Sequence, residues 1–535
     1  MIPEHLHMSN KENWGSRVGL VLAMAGNAVG LGNFLRFPVQ AIQNGGGAFI
    51  IPYLVCFLVM GIPLLFIEWS MGRFGGKHGH HSTPFILDSM DPKRVFWKYI
   101  GVFGIFTNLA VAAYYCYLES WTLAYIWHSV SGTFLGQSAD QIASFFGHYI
   151  SLDGGGTETI LVWIFCLVLN TWILSKGLSG GVEKVAKIGM PLLILFGILL
   201  AIKGITLKAG EEGAIHDGTH GLNFLWTPNY DSIWSAKVWL AAAGQIFFTL
   251  SVGMGSIQCY ASYVKSKDDI ALNAMSAGWM NEFVEVVLGS SILIPIAIGY
   301  LGIDRVVELT ASGGLGLGFK TLPYLFQQWG PTLAALAGVF WFGLLFFAGI
   351  TSSLAMGTPC MGFLMDEFGW KRERAAWAFG GTILLLGLPT VLFFNEGVFD
   401  EYDYWAGTVS LVVFALAEVI LFAWVFGMDK GWKEITTGAD IRVPVFFRYV
   451  TQFVTPVILG WVFFASLPDI WSKITNAELK AKIAASVDPA EIAKLNDQMA
   501  YLNGSRVFLL ALFIGICMLV YKAYTKRKKE GRATV

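Results

Sequence analysis

Twelve apolar stretches set the outline of the chain. They lie near 16–41, 47–72, 97–128, 159–175, 185–206 and 236–263, then near 270–300, 333–364, 375–395, 405–427, 444–467 and 505–522. A bilayer core takes about 20 apolar residues per helix, so each stretch predicts one membrane-spanning helix. Two stretches carry a matched interruption. Span 1 contains Ala28-Val29-Gly30-Leu31-Gly32, and span 6 contains Ser251-Val252-Gly253-Met254-Gly255, 223 residues later. With five spans per copy, the two run through the membrane in opposite directions. That is the pattern of an inverted 5+5 repeat whose first helices unwind near the midplane. One Gly pair alone would mean close helix packing; two at corresponding positions favour unwinding. The predicted organisation is an N-terminal segment (1–15), a first repeat of spans 1–5 (16–206), a second of spans 6–10 (236–427), two extra helices (444–522) and a tail (523–535).

Composition narrows the class. The chain is 55% hydrophobic and 14% charged, with a mean hydropathy of +0.58. Soluble domains carry about 25% charged residues, so a soluble enzyme, a disordered chain and a nucleic-acid binder are excluded. What remains is an all-α polytopic membrane protein. The net charge of −1 says nothing about partners, but its distribution does. With the N-terminus placed in the cytoplasm, most Lys and Arg fall on that side, including Lys371, Arg372 and Arg374 and the tail Lys526–Lys529. The positive-inside rule then predicts cytoplasmic N- and C-termini in an inner (plasma) membrane. Met1 to Asn13 is polar and lacks the pattern of a signal peptide. The six cysteines (Cys56, Cys116, Cys166, Cys259, Cys360, Cys517) lie in apolar runs at unrelated spacings and read as small buried residues.

Unwound helices free backbone carbonyls on one side of a break and N–H groups on the other. Such backbone persists in a membrane only where it lines a site. Freed carbonyls suit a small cation and a half-helix N-terminus suits a carboxylate, so one site can hold a zwitterion beside Na⁺. Asn27, Asn33, Thr249, Ser251, Asn281, Thr351 and Ser352 add neutral oxygens within spans 1, 6, 7 and 8. Any one of them alone would more simply bond back to its own helix; their joint placement carries the reading. Glu68, Glu119, Glu282, Glu285 and Glu418 are intramembrane carboxylates and so functional candidates, with Glu119 and Glu418 favoured as structural hydrogen-bonding groups. Arg36 late in span 1 and Asp403 at span 10 suggest an outer gate pair over a solvated face. Two enzyme-like patterns carry less. Gly177-Leu178-Ser179-Gly180-Gly181 matches GxSxG but joins two apolar spans with no preceding strand. His78, His80 and His81 lie in a Gly-rich link without ligand spacing and read as a solvated loop.

Asn13 through Arg73 resembles the neurotransmitter:sodium symporter family, in particular its bacterial LeuT-like amino-acid branch. So do Gly244–Val264 (GQIFFTLSVGMGSIQCYASYV), Phe346–Met356 (FFAGITSSLAM) and Asp400–Thr408 (DEYDYWAGT). The resemblance implies two sodium sites. The first would use the Ala28 carbonyl, Asn33, Thr249, Asn281 and the substrate carboxylate; the second, the carbonyls of Gly26, Val29 and Ala348 with the hydroxyls of Thr351 and Ser352. It implies that the substrate carboxylate meets the Leu31 and Gly32 amides and the Tyr115 hydroxyl. The ammonium would meet the carbonyls of Ala28, Phe248 and Thr249 and the Ser251 hydroxyl, with Asn27 beside them. Val111, Phe248, Met254, Ser352 and Met356 would line the side-chain pocket under a Tyr115–Phe248 lid. Arg36 and Asp403 would form the outer gate.

Three positions sharpen the implication. Gly30 stands where monoamine carriers of the family have an aspartate, which implies a substrate bearing its own carboxylate. Glu285 stands where chloride-dependent members have a serine, which implies no chloride requirement. Met254 and Met356 replace Phe and Ile of a leucine-selective relative; thioether side chains re-pack, so the expected range is broad and hydrophobic, aromatic amino acids included. At the inner gate, Asp366 and Tyr263 match the family, but Lys11 stands for its arginine and makes no bidentate contact. The expected activity is sodium-driven amino acid uptake by alternating access, not an enzyme's. A proton-coupled carrier and a non-transporting sensor on the same scaffold are the alternatives. The sequence sets no oligomeric state and assigns no chemistry to the outer loops 131–158, 301–332 and 468–503.

Overall fold

Ser16 starts the first span: its hydroxyl accepts from the Gly19 N–H, satisfying a donor that the helix leaves open. α1 (Arg17–Ala28) stops at Val29, where ψ turns to 100°, and α2 (Leu31–Gln43) restarts after the extended Gly30, the two halves meeting at 47°. The computed structural model describes residues 12–152 and 156–531, with no strand among them. The chain continues as α3 (Gly47–Lys77), α4 (Thr83–Met90), α5 (Trp97–Val130), α6 (Ala139–Ser151), α7 (Thr157–Ser175), α8 (Leu178–Ile205) and α9 (Gly218–Trp226). α10 (Ala236–Leu250) and α11 (Ser256–Ala261) follow, separated by a non-helical stretch. Then come α12 (Ile270–Trp329), α13 (Pro331–Phe368), α14 (Arg372–Leu392), α15 (Val398–Thr436), α16 (Phe446–Thr475), α17 (Ala477–Ala485) and α18 (Pro489–Lys529). Ten of these helices are long and apolar enough to cross a bilayer, and the α1–α2 pair makes eleven; α10 is apolar but shorter.

Burial sorts the helices into layers. The apolar window of α5 is 83% buried, whereas those of α16 and α18 are 33% and 22% buried. α5, with α3 and α12, therefore lies in the interior, and α16 and α18 present apolar side chains outward as a lipid-facing surface does.

The element bounds differ from the sequence reading in informative places. α15 begins at Val398, so Asp400, Glu401 and Asp403 sit inside its first turns. The outer segment 468–503 is split between helices, its last part running without a break into the last span as α18. The outer loops 131–158 and 301–332 hold helices of their own, with a kink at Gly302, where φ is 74°.

The His78–His81 link is not the solvated loop expected. His80 is buried, with Nδ1 3.2 Å from the Arg527 guanidinium. The His81 ring stacks on Tyr263 at 4.2 Å, and its Nδ1 lies 2.7 Å from Ser262 Oγ. The cause is long-range: α18 returns to this end of the molecule, where Arg527 also pairs with buried Glu367 and lies 4.2 Å above the Phe85 ring. Lys98 donates to Asp88 at 3.2 Å and stacks on Tyr524 at 3.7 Å. Nearer the middle of α18, Arg506 donates through Nε and Nη2 to both oxygens of Glu401, at 2.6 and 2.7 Å. The six cysteines are free, and all but Cys517 are buried.

Candidate functional site at the two helix breaks

The first break gathers oxygen atoms around one hydroxyl. Ser352 Oγ, on α13, lies 3.1 Å from the Gly26 and Ala348 carbonyls and 3.4 Å from those of Asn27 and Val29. A hydroxyl has one proton to donate, so Ser352 itself can satisfy only one of these four carbonyls. Thr351 Oγ1 joins them, 3.2 Å from the Ala348 carbonyl. Glycine is needed at position 26 for this approach: a Cβ there would lie 2.8 Å from Thr351 Cβ. A ring of neutral oxygens at this spacing fits a hard monovalent cation, and Gly26, Val29, Ala348, Thr351 and Ser352 are the residues that would hold it.

A second cluster joins α2, α10 and α12. Asn33 Nδ2 lies 2.8 Å from Asn281 Oδ1, 3.0 Å from Glu285 Oε2 and 3.1 Å from Thr249 Oγ1. Asn281 Nδ2 donates to Thr249 Oγ1 at 2.9 Å, and Thr249 in turn donates to Glu285. Gln245 Nε2 donates to the other Glu285 oxygen at 2.6 Å. An amide nitrogen with two hydrogens thus faces three oxygens, one of them a carboxylate. Asn33, Thr249 and Asn281 thus stand together at one point where a cation could be held, with Glu285 as the fixed negative charge beside it. Glu285 sits on a widened helical turn, Phe283–Gly289, a distortion common at functional sites.

Between the clusters lies a cavity of about 30 Å³ lined by Ala28, Gly30, Gly32, Asn33, Val111, Tyr115, Phe248, Ser251, Met254, Ser352 and Met356, with Gly407 and Leu411. That is room for about two water molecules, and the Phe248 ring forms part of the wall. A Cβ on Gly32 would lie 2.3 Å from Phe248 Cε1, so only glycine lets the ring rest there. The polar end is built from backbone. The Leu31 N–H donates to the Tyr115 hydroxyl at 2.9 Å, and the Gly30 N–H donates to Asn33 Oδ1 at 2.8 Å. A Cβ on Gly30 would meet the Tyr115 hydroxyl at 2.6 Å, so no side-chain carboxylate fits there. Ser251, left-handed at φ 54°, donates to the Asn27 carbonyl at 3.0 Å and ties the two breaks together. The apolar end is Val111, Met254 and Met356.

The other intramembrane carboxylates are hydrogen-bonded, Glu68 directly to the second break. Glu68 accepts the Gly253 N–H at 2.6 Å, and Glu418 accepts the Gln258 amide one turn beyond. Glu282 accepts the Tyr53 hydroxyl at 3.2 Å, and Glu119 accepts Ser353 at 2.6 Å and Asn170 at 3.0 Å.

The gate residues are arranged differently from the expected pairs. Among the described residues, Arg36 and Asp403 form no ion pair. Asp403 accepts the Tyr114 hydroxyl at 2.6 Å, while the Arg36 guanidinium lies 4.3 Å above the Phe248 ring. A glycine at 407 permits this, since a Cβ there would lie 2.8 Å from Asp403 Oδ1. At the opposite end, Asp366 accepts the His81 N–H at 2.8 Å beside Tyr263. Lys11 lies outside the described residues; the neighbouring Glu12 pairs with Arg372. Gly407 and Leu411 escaped the sequence reading, although Gly407 is the eighth residue of the DEYDYWAGT segment and stands one turn after Asp403.

The chain matches the model of the "Sodium:neurotransmitter symporter family" over residues 11–144 and 147–480. An uncharacterized sodium-dependent transporter of Methanocaldococcus jannaschii is 31% identical over 477 residues, covering 86% of this chain and 91% of the relative. A sodium-dependent nutrient amino acid transporter of Drosophila simulans is 25% identical, covering 90% and 81%. The crystal structure of MhsT in complex with L-phenylalanine superposes with a TM-score of 0.73 at 29% identity, covering 85% of this chain and all of that one. Multi-pass, helical and broken at two oxygen-lined points, this chain belongs to the sodium:neurotransmitter symporter family and is a transporter, not an enzyme.

Proposed function

We propose that the chain imports neutral hydrophobic amino acids together with Na⁺, without a chloride requirement, from a membrane in which both termini face the cytoplasm. The observation that carries this reading is the pair of oxygen clusters flanking one cavity with a backbone polar end and an apolar far end. The Leu31 and Gly32 amides and the Tyr115 hydroxyl would take the substrate carboxylate, and that carboxylate would complete the ligands of the first Na⁺ with Ala28, Asn33, Thr249 and Asn281. Each ligand then strengthens the other's binding, and linkage makes the effect reciprocal. The Ala28, Phe248 and Thr249 carbonyls and Ser251, with Asn27 behind it, would take the ammonium. Glu285, hydrogen-bonded within this cluster, supplies the negative charge that an anion would otherwise bring. The two methionines support a broad hydrophobic range, and the phenylalanine held by MhsT agrees with aromatic substrates. Each inward charge gains about 2.3 kcal/mol per 100 mV of membrane potential, and the broken spans with their neighbours would rock about this site.

Uptake of leucine into proteoliposomes under separate Na⁺, K⁺ and pH gradients tests the coupling. Accumulation is expected with the Na⁺ gradient alone. Accumulation driven by ΔpH without Na⁺ would make it a proton-coupled carrier, and none under any gradient would favour a sensor. Phenylalanine and tryptophan are expected to compete with leucine; failure of both would remove the broad range.

A further inference from the structure

Cys116 and Glu119 stand three residues apart on α5, and Cys166 and Asn170 stand four apart on α7. At those spacings each pair shares one helix face, and the two faces meet. The two sulfurs and a Glu119 carboxylate oxygen lie within 4.8 Å of one another. Glu119 and Cys166 are fully buried, and Cys116 and Asn170 nearly so. Around a tetrahedral zinc-like ion, bonds of about 2.3 Å to sulfur and about 2.0 Å to oxygen place neighbouring ligands about 3.3–3.8 Å apart. The three groups therefore need to close by no more than about 1.5 Å, within reach of side-chain rotation.

A fourth ligand stands beside them. Asn170 Nδ2 lies 3.0 Å from Glu119 Oε1 and 3.6 Å from Cys166 Sγ, while its Oδ1, buried at the same end of the side chain, has no hydrogen-bond partner. Without an ion, Nδ2 faces this side because it donates to Glu119 Oε1 and to the Cys166 carbonyl at 3.1 Å; with an ion present, a turned Asn170 would exchange those two bonds for an Oδ1 ligand beside the sulfurs. The remaining Glu119 oxygen is already held by Ser353 at 2.6 Å, which fixes the carboxylate. None of these four residues lines the cavity or belongs to the oxygen clusters at the breaks.

We propose that Cys116, Glu119, Cys166 and Asn170 form a binding site for a soft divalent cation of the zinc and cadmium class, between α5 and α7. Two thiolates, a carboxylate and an amide oxygen make a mixed sulfur–oxygen set that such ions prefer and that Na⁺ does not. The thiols lose their protons to solvent as the ion binds. This site is independent of the transport reading.

The test is a Cd²⁺ titration of the purified, reduced full-length chain, following the ultraviolet thiolate-to-cadmium charge-transfer band. One Cd²⁺ per chain is expected. Cys116→Ser and Cys166→Ser should each weaken binding at least tenfold, their combination should abolish the band, and Cys56→Ser should leave it unchanged. The helical circular dichroism and the size-exclusion profile of each variant report that it has folded. A wild-type chain without the band, or a band that survives the double substitution, overturns the proposal. Cadmium-edge X-ray absorption of the wild-type chain decides it without variants: two sulfur neighbours support the site, and one or none refutes it.

Discussion

Replacing Glu285 by serine should make sodium binding depend on chloride. In the folded chain Glu285 Oε2 is 3.0 Å from Asn33 Nδ2, Oε1 is 2.6 Å from Gln245, and Thr249 donates to the same carboxylate. A cation held by Asn33, Thr249 and Asn281 would sit about 5 Å from this charge, where two unit charges attract by about 3 kcal/mol at an effective dielectric constant of about 20. Glu285→Ser removes that attraction, so the half-saturating Na⁺ concentration should rise by about two orders of magnitude in chloride-free buffer. It also leaves Asn33, Gln245 and the new hydroxyl as donors around the space of the lost carboxylate, a set that suits an anion. Chloride should then recover most of the loss, whereas the wild-type chain should be indifferent to it. The assay is Na⁺-dependent leucine binding in gluconate and in chloride. Equal Na⁺ dependence of variant and wild type in gluconate, within twofold, would refute the charge argument.

Three further outcomes follow from the geometry. Ser352→Ala deletes the hydroxyl on which four carbonyls converge; losing an interaction with a charged ligand costs about 1.5–3 kcal/mol, so Na⁺ affinity should fall ten- to hundred-fold, read by sodium titration of substrate binding. Gly32→Ala places a methyl 2.3 Å from the Phe248 ring; overpacking of about 1–3 kcal/mol should weaken substrate binding at least fivefold, and Phe248→Leu in the same chain should restore part of it. Burial and then the Arg527 charge lower the His80 pKa from 6.5 to about 3, so the folded chain holds the neutral ring. Stability from this group is complete above pH 6.5 and declines as pH falls toward 3, because only the unfolded chain takes up the proton. Thermal unfolding of His80→Asn should therefore lose less stability than wild type between pH 6.5 and 4.5; parallel curves would refute this.

Much of the site was legible because its residues are local to the breaks. The small-Val-Gly-apolar-Gly pairs state in sequence that the helix cannot continue, and Asn33, Thr249 and Ser352 lie within a turn or so of a break or of its facing span. What stayed hidden depends on chain that returns from far away. His80 meets Arg527 only because α18 folds back across 447 positions, and no local pattern distinguishes a buried histidine from a solvated one. Asp403 and Arg36 were readable as charges near one entrance, but not the Tyr114 hydroxyl that bonds Asp403, since its role depends on how α5 faces α15. Leu411 reaches the cavity for the same reason. The extent of α18 was also obscured: its first turns carry a charged pattern that a surface helix would share, and hydropathy marks only the part in lipid.

The last helix has a length consequence. Arg506 is fixed to Glu401 at one end of the molecule and Arg527 to Glu367 at the other, 21 residues apart on one unbroken helix. At 1.5 Å per residue that spacing is about 31 Å, close to the ~30 Å thickness of a bilayer's hydrocarbon core. α18 is thus a ruler pinned at both marks, and a thinner or thicker membrane meets it as a fixed distance rather than a tilting rod. Turnover should therefore show a sharp optimum against acyl-chain length in reconstituted bilayers, and Arg527→Leu, which frees one mark, should broaden it.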